Sequence, residues 1–273
     1  MVFEDGQDQT VTRAGEGVKM MTMTALRALA AAVLVMLPAL AGAADTDIKL
    51  DHAPIDLHDN ESLQRGARTF VNYCLTCHSA SYMRYNRLRD IGLTEQQIRD
   101  NLIFPDVKVG ELMKTAMDPK DAKEWFGAPP PDLTVIARSR SSHAGSGTDW
   151  LYTYLRTFYK DPSRPTGWNN VVYPNVGMPH ALWQLQGEQV LKEGKVQAEG
   201  YMRTVQQLAL DKPGSMKPVD YDRVVTDLVN YMTYMSEPAR HDRVTIGLYS
   251  LIVISILIAL SYALKKAYWR DVH

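Results

Sequence analysis

The chain has 273 residues, 45% hydrophobic and 22% charged, and its 30 basic and 31 acidic side chains leave a formal net charge of −1. That is enough apolar material for one good core with appendages. The neutral balance gives no argument for nucleic acid, and none is expected as a partner. The two cysteines leave no further thiol to complete a tetrahedral zinc site around a Cys pair.

In chain order, residues 1–19 are polar and glycine-bearing and read as an extension ahead of the working start, for which Met20, Met21 and Met23 are candidates. Residues 20–43 carry the marks of a secretory signal. Arg27 lies in the n-region, an apolar run covers Ala28 to Leu37, and Ala41-Gly42-Ala43 offers a small-x-small cleavage site. The run is too short to span a bilayer and a polar chain follows it, so cleavage near Ala44 is expected rather than anchoring. Residues 44–243 then form a body outside the cytoplasm.

A first helix is expected over Ser62 to Cys74, where Leu63, Ala67, Phe70, Val71 and Cys74 recur at spacings of three and four. It delivers Cys74-Leu75-Thr76-Cys77-His78, which uses both cysteines and has the C-x-x-C-H pattern of covalent c-type haem attachment. Two thiols at this spacing add to the two porphyrin vinyl groups, and the adjacent histidine is carried under the iron as an axial ligand. A C-x-x-C pair also serves thioredoxin-like redox chemistry or half of a zinc site. The missing further cysteines count against zinc. The adjacent histidine and the lack of a preceding apolar strand count against thioredoxin chemistry.

Thr94 to Gln97 forms a capping-box pattern ahead of Ile98, Leu102 and Ile103, so a short helix starts there. Another is expected over Asp149 to Lys160, with Thr148 as its cap and Leu151, Tyr154, Leu155 and Phe158 on one face. The last soluble helix opens at Asp220, aligns Val224, Val225, Leu228, Met232 and Met235, and stops near Pro238. Gly127 to Pro131 and Asp161 to Gly177 are loops by their turn chemistry. With no internal repeat and no run of paired strands, the fold class is mainly α, a helical domain wrapped by long loops around a buried macrocycle.

The sixth iron ligand decides between electron transfer and catalysis, because two protein ligands let iron change oxidation state with little rearrangement while an open position invites oxygen or peroxide. Met178 lies in Tyr173-Pro174-Asn175-Val176-Gly177-Met178-Pro179-His180, a loop stiffened by two prolines and far downstream of His78. That is the placement of a methionine closing over the opposite haem face. His180, another methionine and a vacant position remain open at this point, and with a vacant position so does a haem enzyme or gas sensor. Met232 and Met235 fall on a helical stripe and read as core.

Val244 to Leu264 holds no charged residue, and its 21 positions reach about 31 Å, close to a bilayer's hydrocarbon thickness. A transmembrane helix is expected over 244–264. Lys265, Lys266 and Arg270 put the tail, 265–273, in the cytoplasm. Arg240 and Arg243 weaken that count, and the signal peptide decides it.

Taken together, Cys74 to His78, the segment Pro130-Pro131-Asp132-Leu133-Thr134-Val135-Ile136-Ala137-Arg138-Ser139-Arg140, the Gly177-Met178-Pro179 loop and Glu237-Pro238 ahead of a single terminal membrane helix resemble the cytochrome c1 family. The resemblance implies a cytochrome c-like haem domain with one covalent haem c, in an inner-membrane protein whose haem domain faces the periplasm. It implies a bacterial cytochrome bc1 complex subunit with cytochrome b and Rieske iron–sulfur subunits as partners and a cytochrome c as electron acceptor. Such a subunit is part of an enzyme without owning the active site. By the same resemblance Met178 is the axial ligand, Arg140 or its neighbour Arg138 meets a haem propionate, Pro131 packs on the ring, and Trp150 stands where the family tends to carry an aromatic. Asp90, Glu95, Asp100 and Asp106 are candidates for an acidic docking patch. Two departures stand out. Gly187 to Lys217 is a long polar stretch expected to form an exposed excursion, and Trp125 and Phe126 occupy a place where the family has an asparagine. A membrane-anchored cytochrome c of another respiratory complex, such as a terminal oxidase or nitric oxide reductase, is the runner-up.

Overall fold

A computed structural model describes residues 49–198, 201–240 and 242–271; the expected signal peptide and its flanks lie outside the described residues. The elements run α1 (Asn60–Thr69), β1 (Ala80–Arg84), α2 (Glu95–Leu102), β2 (Leu112–Met113), α3 (Pro119–Phe126), α4 (Ile136–Ser139), α5 (Gly147–Arg156), β3 (Phe158–Lys160), β4 (Trp168–Asn170), α6 (Trp183–Gln186), β5 (Gly187–Ala198), β6 (Tyr201–Pro213), α7 (Pro218–Ser236) and α8 (Arg243–Tyr268). A π-turn at Phe70–Cys74 extends α1, and 3-10 turns occupy Tyr85–Ile91 and Pro238–Arg240.

The scaffold is the pair α1 and α7. Asp59 caps α1 by accepting from the Ser62 N–H at 3.0 Å. Pro218 starts α7 at a position where the missing N–H costs nothing. The two axes come close at Gly66, where any Cβ would fall 2.0 Å from the Asp227 carbonyl oxygen, so only glycine fits there. Beside this contact Arg65 grips the Asp227 carboxylate with two nitrogens, at 2.7 and 3.0 Å. Leu63, Ala67, Phe70, Val225, Leu228 and Tyr231 are buried between and around the pair. At about 25 cal/mol per Å² this apolar burial is the main driving force holding the haem motif at the end of α1.

Helix α5 starts earlier and stops earlier than periodicity suggests. Ser146, not Thr148, caps it, accepting from the Asp149 N–H at 3.1 Å, while Thr148 is buried with its hydroxyl 3.2 Å from that of Thr233. It ends at Arg156 because Phe158–Lys160 leaves the helix to pair with Trp168–Asn170.

Three short antiparallel pairs, β1–β2, β3–β4 and β5–β6, add strands that the sequence did not announce. Strands β2, β3 and β4 hold only two or three residues, too few to display a period of two, and the five residues of β1 do not alternate in burial. The third is the polar excursion, folded as a hairpin whose register runs from Gly187↔Pro213 to Ala198↔Tyr201. Its base is tight: Gly187 has φ +95°, and a Cβ there would sit 2.2 Å from the Lys212 carbonyl oxygen.

Helix α8 has 26 residues, about 39 Å at 1.5 Å per residue, with a mean hydropathy of 2.4 over its most apolar window and no burial against the rest of the chain. Such a helix is stable only where lipid or partner helices cover it.

Candidate haem site

One cavity of about 350 Å³ gathers Cys74, Cys77, His78, Pro131, Arg140 and Met178. This is ordinary size for a site that buries a cofactor. Apolar side chains line most of the rest, with Leu151 and Leu155 from α5 and Leu228 and Met232 from α7.

The motif is wound tightly, the N–H groups of Cys77 and His78 both donating to the Cys74 carbonyl at 3.1 and 2.8 Å. Burial pushes the Cys74 thiol up to about 12, with Cys77 adding to the effect, and burial also raises Cys77. Neither thiol is tuned as the low-pKa thiolate of a redox dithiol or metal site. His78 is buried, and its Nδ1 lies 2.8 Å from the Pro131 carbonyl oxygen. That oxygen only accepts, so the ring carries its proton on Nδ1 and leaves Nε2 as a bare donor. Burial lowers the His78 pKa, partly offset by Pro131 and Asp132, which keeps the imidazole neutral as an iron ligand requires.

The Pro-Pro-Asp-Leu segment is strapped to the motif. Leu133 N–H donates to the Ser79 carbonyl at 2.8 Å, Ser81 N–H to Asp132 Oδ2 at 2.7 Å and Thr134 N–H to Asp132 Oδ1 at 2.8 Å. Burial raises the Asp132 pKa, but the hydrogen bonds from Thr134 and Ser81 outweigh it and hold the carboxyl below its usual range. Thr115 adds a second clasp, its hydroxyl donating to the Thr76 carbonyl at 2.6 Å.

Met178 faces the cavity from a loop built on two asparagines. Asn170 Oδ1 accepts from Val172 and Tyr173 N–H at 2.9 and 3.1 Å, and its Nδ2 donates to the Tyr154 carbonyl at 2.8 Å. Asn169 Oδ1 accepts from Asn175 N–H at 2.8 Å, which sets the φ of +63° at Asn175. Gly177 runs beneath the end of α3, where a Cβ would lie 3.2 Å from the Phe126 carbonyl oxygen. The Tyr154 hydroxyl donates to Met178 Sδ at 3.3 Å. His180, two residues on, also borders the cavity, its ring flat against Phe158 at 4.8 Å and edge-on to Trp168 at 5.2 Å. Burial drives its pKa down to about 4, so this imidazole is neutral.

Arg140 caps α4 and enters the cavity with its guanidinium over Trp150 at 4.6 Å and Tyr173 at 5.4 Å. Arg138, two residues earlier, does not border the cavity: its Nε lies 3.3 Å from Glu237, beside the entry to α8. A spacing of two on so short a turn places the two guanidinia on different sides. Of the acidic candidates, Asp90 pairs with Arg87, Glu95 with Arg99, and Asp100 accepts from Gln96. Trp150 stands beside the cavity as a cation–π partner. The sequence reading missed the shaping roles of Asn169, Asn170 and Tyr154. An Asn-Asn pair ahead of a proline-bounded loop was the available signal for the first two.

Two neutral thiols, an imidazole with a bare Nε2, a thioether, apolar walls and one guanidinium together fit a covalent haem. The family model described as the cytochrome C1 family matches residues 51–213 and 215–272. The chain belongs to the cytochrome c1 family. It is a membrane-anchored electron-transfer subunit of the cytochrome bc1 complex and carries one covalently bound haem c. It is 48% identical to the cytochrome c1 of Allochromatium vinosum over 225 residues, 82% of this chain and 90% of that one. It is 26% identical to the cytochrome c1 of Rhodospirillum rubrum over 92% of this chain and 99% of that one. It is also 50% identical over 240 residues, 88% of this chain and 96% of the relative, to a Nitrosomonas europaea protein named as an ammonia monooxygenase gamma subunit.

Proposed function

We propose that this cytochrome c1 passes single electrons from a Rieske iron–sulfur subunit to a cytochrome c, with its haem domain (residues 44–243) on the periplasmic side and its tail in the cytoplasm. The bound haem c supplies a one-electron iron couple. Cys74 and Cys77 would hold it by thioethers, His78 Nε2 and Met178 Sδ would ligate its iron, Arg140 would bind a propionate and Pro131 would pack on the ring. The observation that carries this reading is that one cavity brings a neutral, Nδ1-protonated His78 together with the half-buried thioether of Met178. The Pro131 carbonyl fixes the imidazole and raises the basicity of its free nitrogen. A thioether ligand beside the histidine would favour the reduced state and so raise the potential. His180 serves instead as part of the wall, its ring sandwiched flat on Phe158. With His78 and Met178 both serving it, the iron would keep no open position for a substrate, so quinol oxidation would belong to cytochrome b and its neighbours.

The Nitrosomonas relative motivates one rival association, with a monooxygenase in place of a bc1 complex. Purification of the tagged chain from native membranes separates the two. Recovery of a cytochrome b and a Rieske protein is expected, whereas recovery with ammonia monooxygenase subunits and no cytochrome b overturns the partner assignment.

A further inference from the structure

We propose that Tyr154 is a positioning residue for the Met178 thioether, holding its sulfur in one orientation and raising the redox potential of the site. This rests on the reading of Met178 as the axial ligand.

A divalent sulfur has two lone pairs. One serves a metal, and the other is free to accept a hydrogen bond. The Tyr154 hydroxyl donates to Met178 Sδ at 3.3 Å inside an apolar cavity, where a buried hydroxyl without a partner is costly. If the ring only filled space, phenylalanine would serve there at no such cost. The donor is also fixed in place. Its ring stacks on Trp150 at 4.7 Å and 13° and meets Phe158 edge-on at 5.0 Å, and its own carbonyl is tied by Asn170 to the chain leading into the Met178 loop. Burial holds the phenol well above its usual pKa, against a smaller lowering by Arg140, so it remains a donor across the working pH range. Withdrawing density from the thioether weakens its donation to the oxidised metal more than to the reduced one. Removing the hydroxyl therefore shifts the equilibrium toward the oxidised form.

The test uses the full haem-loaded chain in detergent with Tyr154→Phe, which keeps the ring and deletes the hydroxyl. A roughly threefold fall in the reduced-to-oxidised equilibrium constant is expected, about 28 mV for one electron, with the far-red sulfur-to-iron absorption of the ferric protein kept but displaced. An unchanged midpoint and an unchanged band overturn the proposal while leaving Met178 as ligand. If the wild type lacks that band altogether, the Met178 reading itself fails and this inference falls with it. Should the variant not load haem, proton NMR of the reduced wild type decides. A slowly exchanging tyrosine hydroxyl with an NOE to the Met178 ε-methyl is expected, and a freely exchanging one with no such NOE overturns the assignment.

Discussion

The wall of the cavity that carries His78 rests on helix against helix, whereas the wall that carries Met178 is a loop folded over two asparagine side chains and an aromatic shelf. On the first, Gly66 lets α1 touch α7, Arg65 and Asp227 lock the crossing, and Asp132 straps the proline segment behind the imidazole. On the second, Asn169 and Asn170 replace a backbone ladder, and Tyr154, stacked on Trp150 and edge-on to Phe158, reaches the sulfur with its hydroxyl. The attached side therefore shares in global stability, and the sulfur side depends on a few local bonds. Opening of the loop alone is expected to cost less than global unfolding, since it leaves the α1–α7 core intact. A relay gains from this division, because the histidine stays fixed while the thioether is positioned by separately adjustable contacts.

The largest effects are expected on the helical side. Gly66→Leu drives a side chain into the Asp227 backbone and is expected to cost at least ~3 kcal/mol, read as a lower denaturation midpoint with poor haem loading. Asp132→Asn comes next, at about 1.5–3 kcal/mol near pH 7 for hydrogen bonds to a charged acceptor. The folded pKa of Asp132 lies below its unfolded value, so its contribution is complete above the ordinary carboxylate pKa and is lost as pH falls through the lower folded value. The variant should accordingly show a flatter acid limb in stability against pH, and an unaltered limb contradicts the strap.

Asn170→Ala acts on the other wall. It removes acceptors from Val172 and Tyr173 and a donor to Tyr154, about 2 kcal/mol that should appear as local opening of residues 171–179 by hydrogen exchange while α1 and α7 keep their protection. Arg140→Gln is expected to lower the reduced-to-oxidised ratio about tenfold, ~59 mV, if its charge meets a propionate, with little change in stability. The smallest effect belongs to the hairpin. Replacing its outer part by a two-residue turn, with Gln189 and Glu188 kept at the base where they meet Arg156, Phe158 and the lysines, should change stability by less than ~0.5 kcal/mol.

The two walls were also unequally legible. α1 and α7 show their buried faces at spacings of three and four, and the Thr94–Gln97 capping box appears as written, with both reciprocal hydrogen bonds formed. Cys74, Cys77 and His78 stand out in the sequence because the proposed thioether attachment demands that spacing. Periodicity carries no record of long-range side-chain partners, so it could not show that Thr148 faces Thr233, that Ser146 is the cap, or that Tyr154 reaches a sulfur twenty-four residues on. The hairpin was hidden for a different reason. Its apolar residues are interspersed among polar ones without a sustained alternation, so the period of two by which a strand is read is missing. Arg138 and Arg140 are equivalent as letters, and only the turn of α4 sends one to Glu237 and the other into the cavity.

The central claim is that one cavity closes its iron between His78 and Met178, and the far-red absorption of the ferric protein tests it most directly. A sulfur-to-iron band is expected in the wild type and is expected to disappear in Met178→Leu, while the covalent haem remains attached through Cys74 and Cys77. A wild type without the band, or a band that survives the substitution, contradicts it.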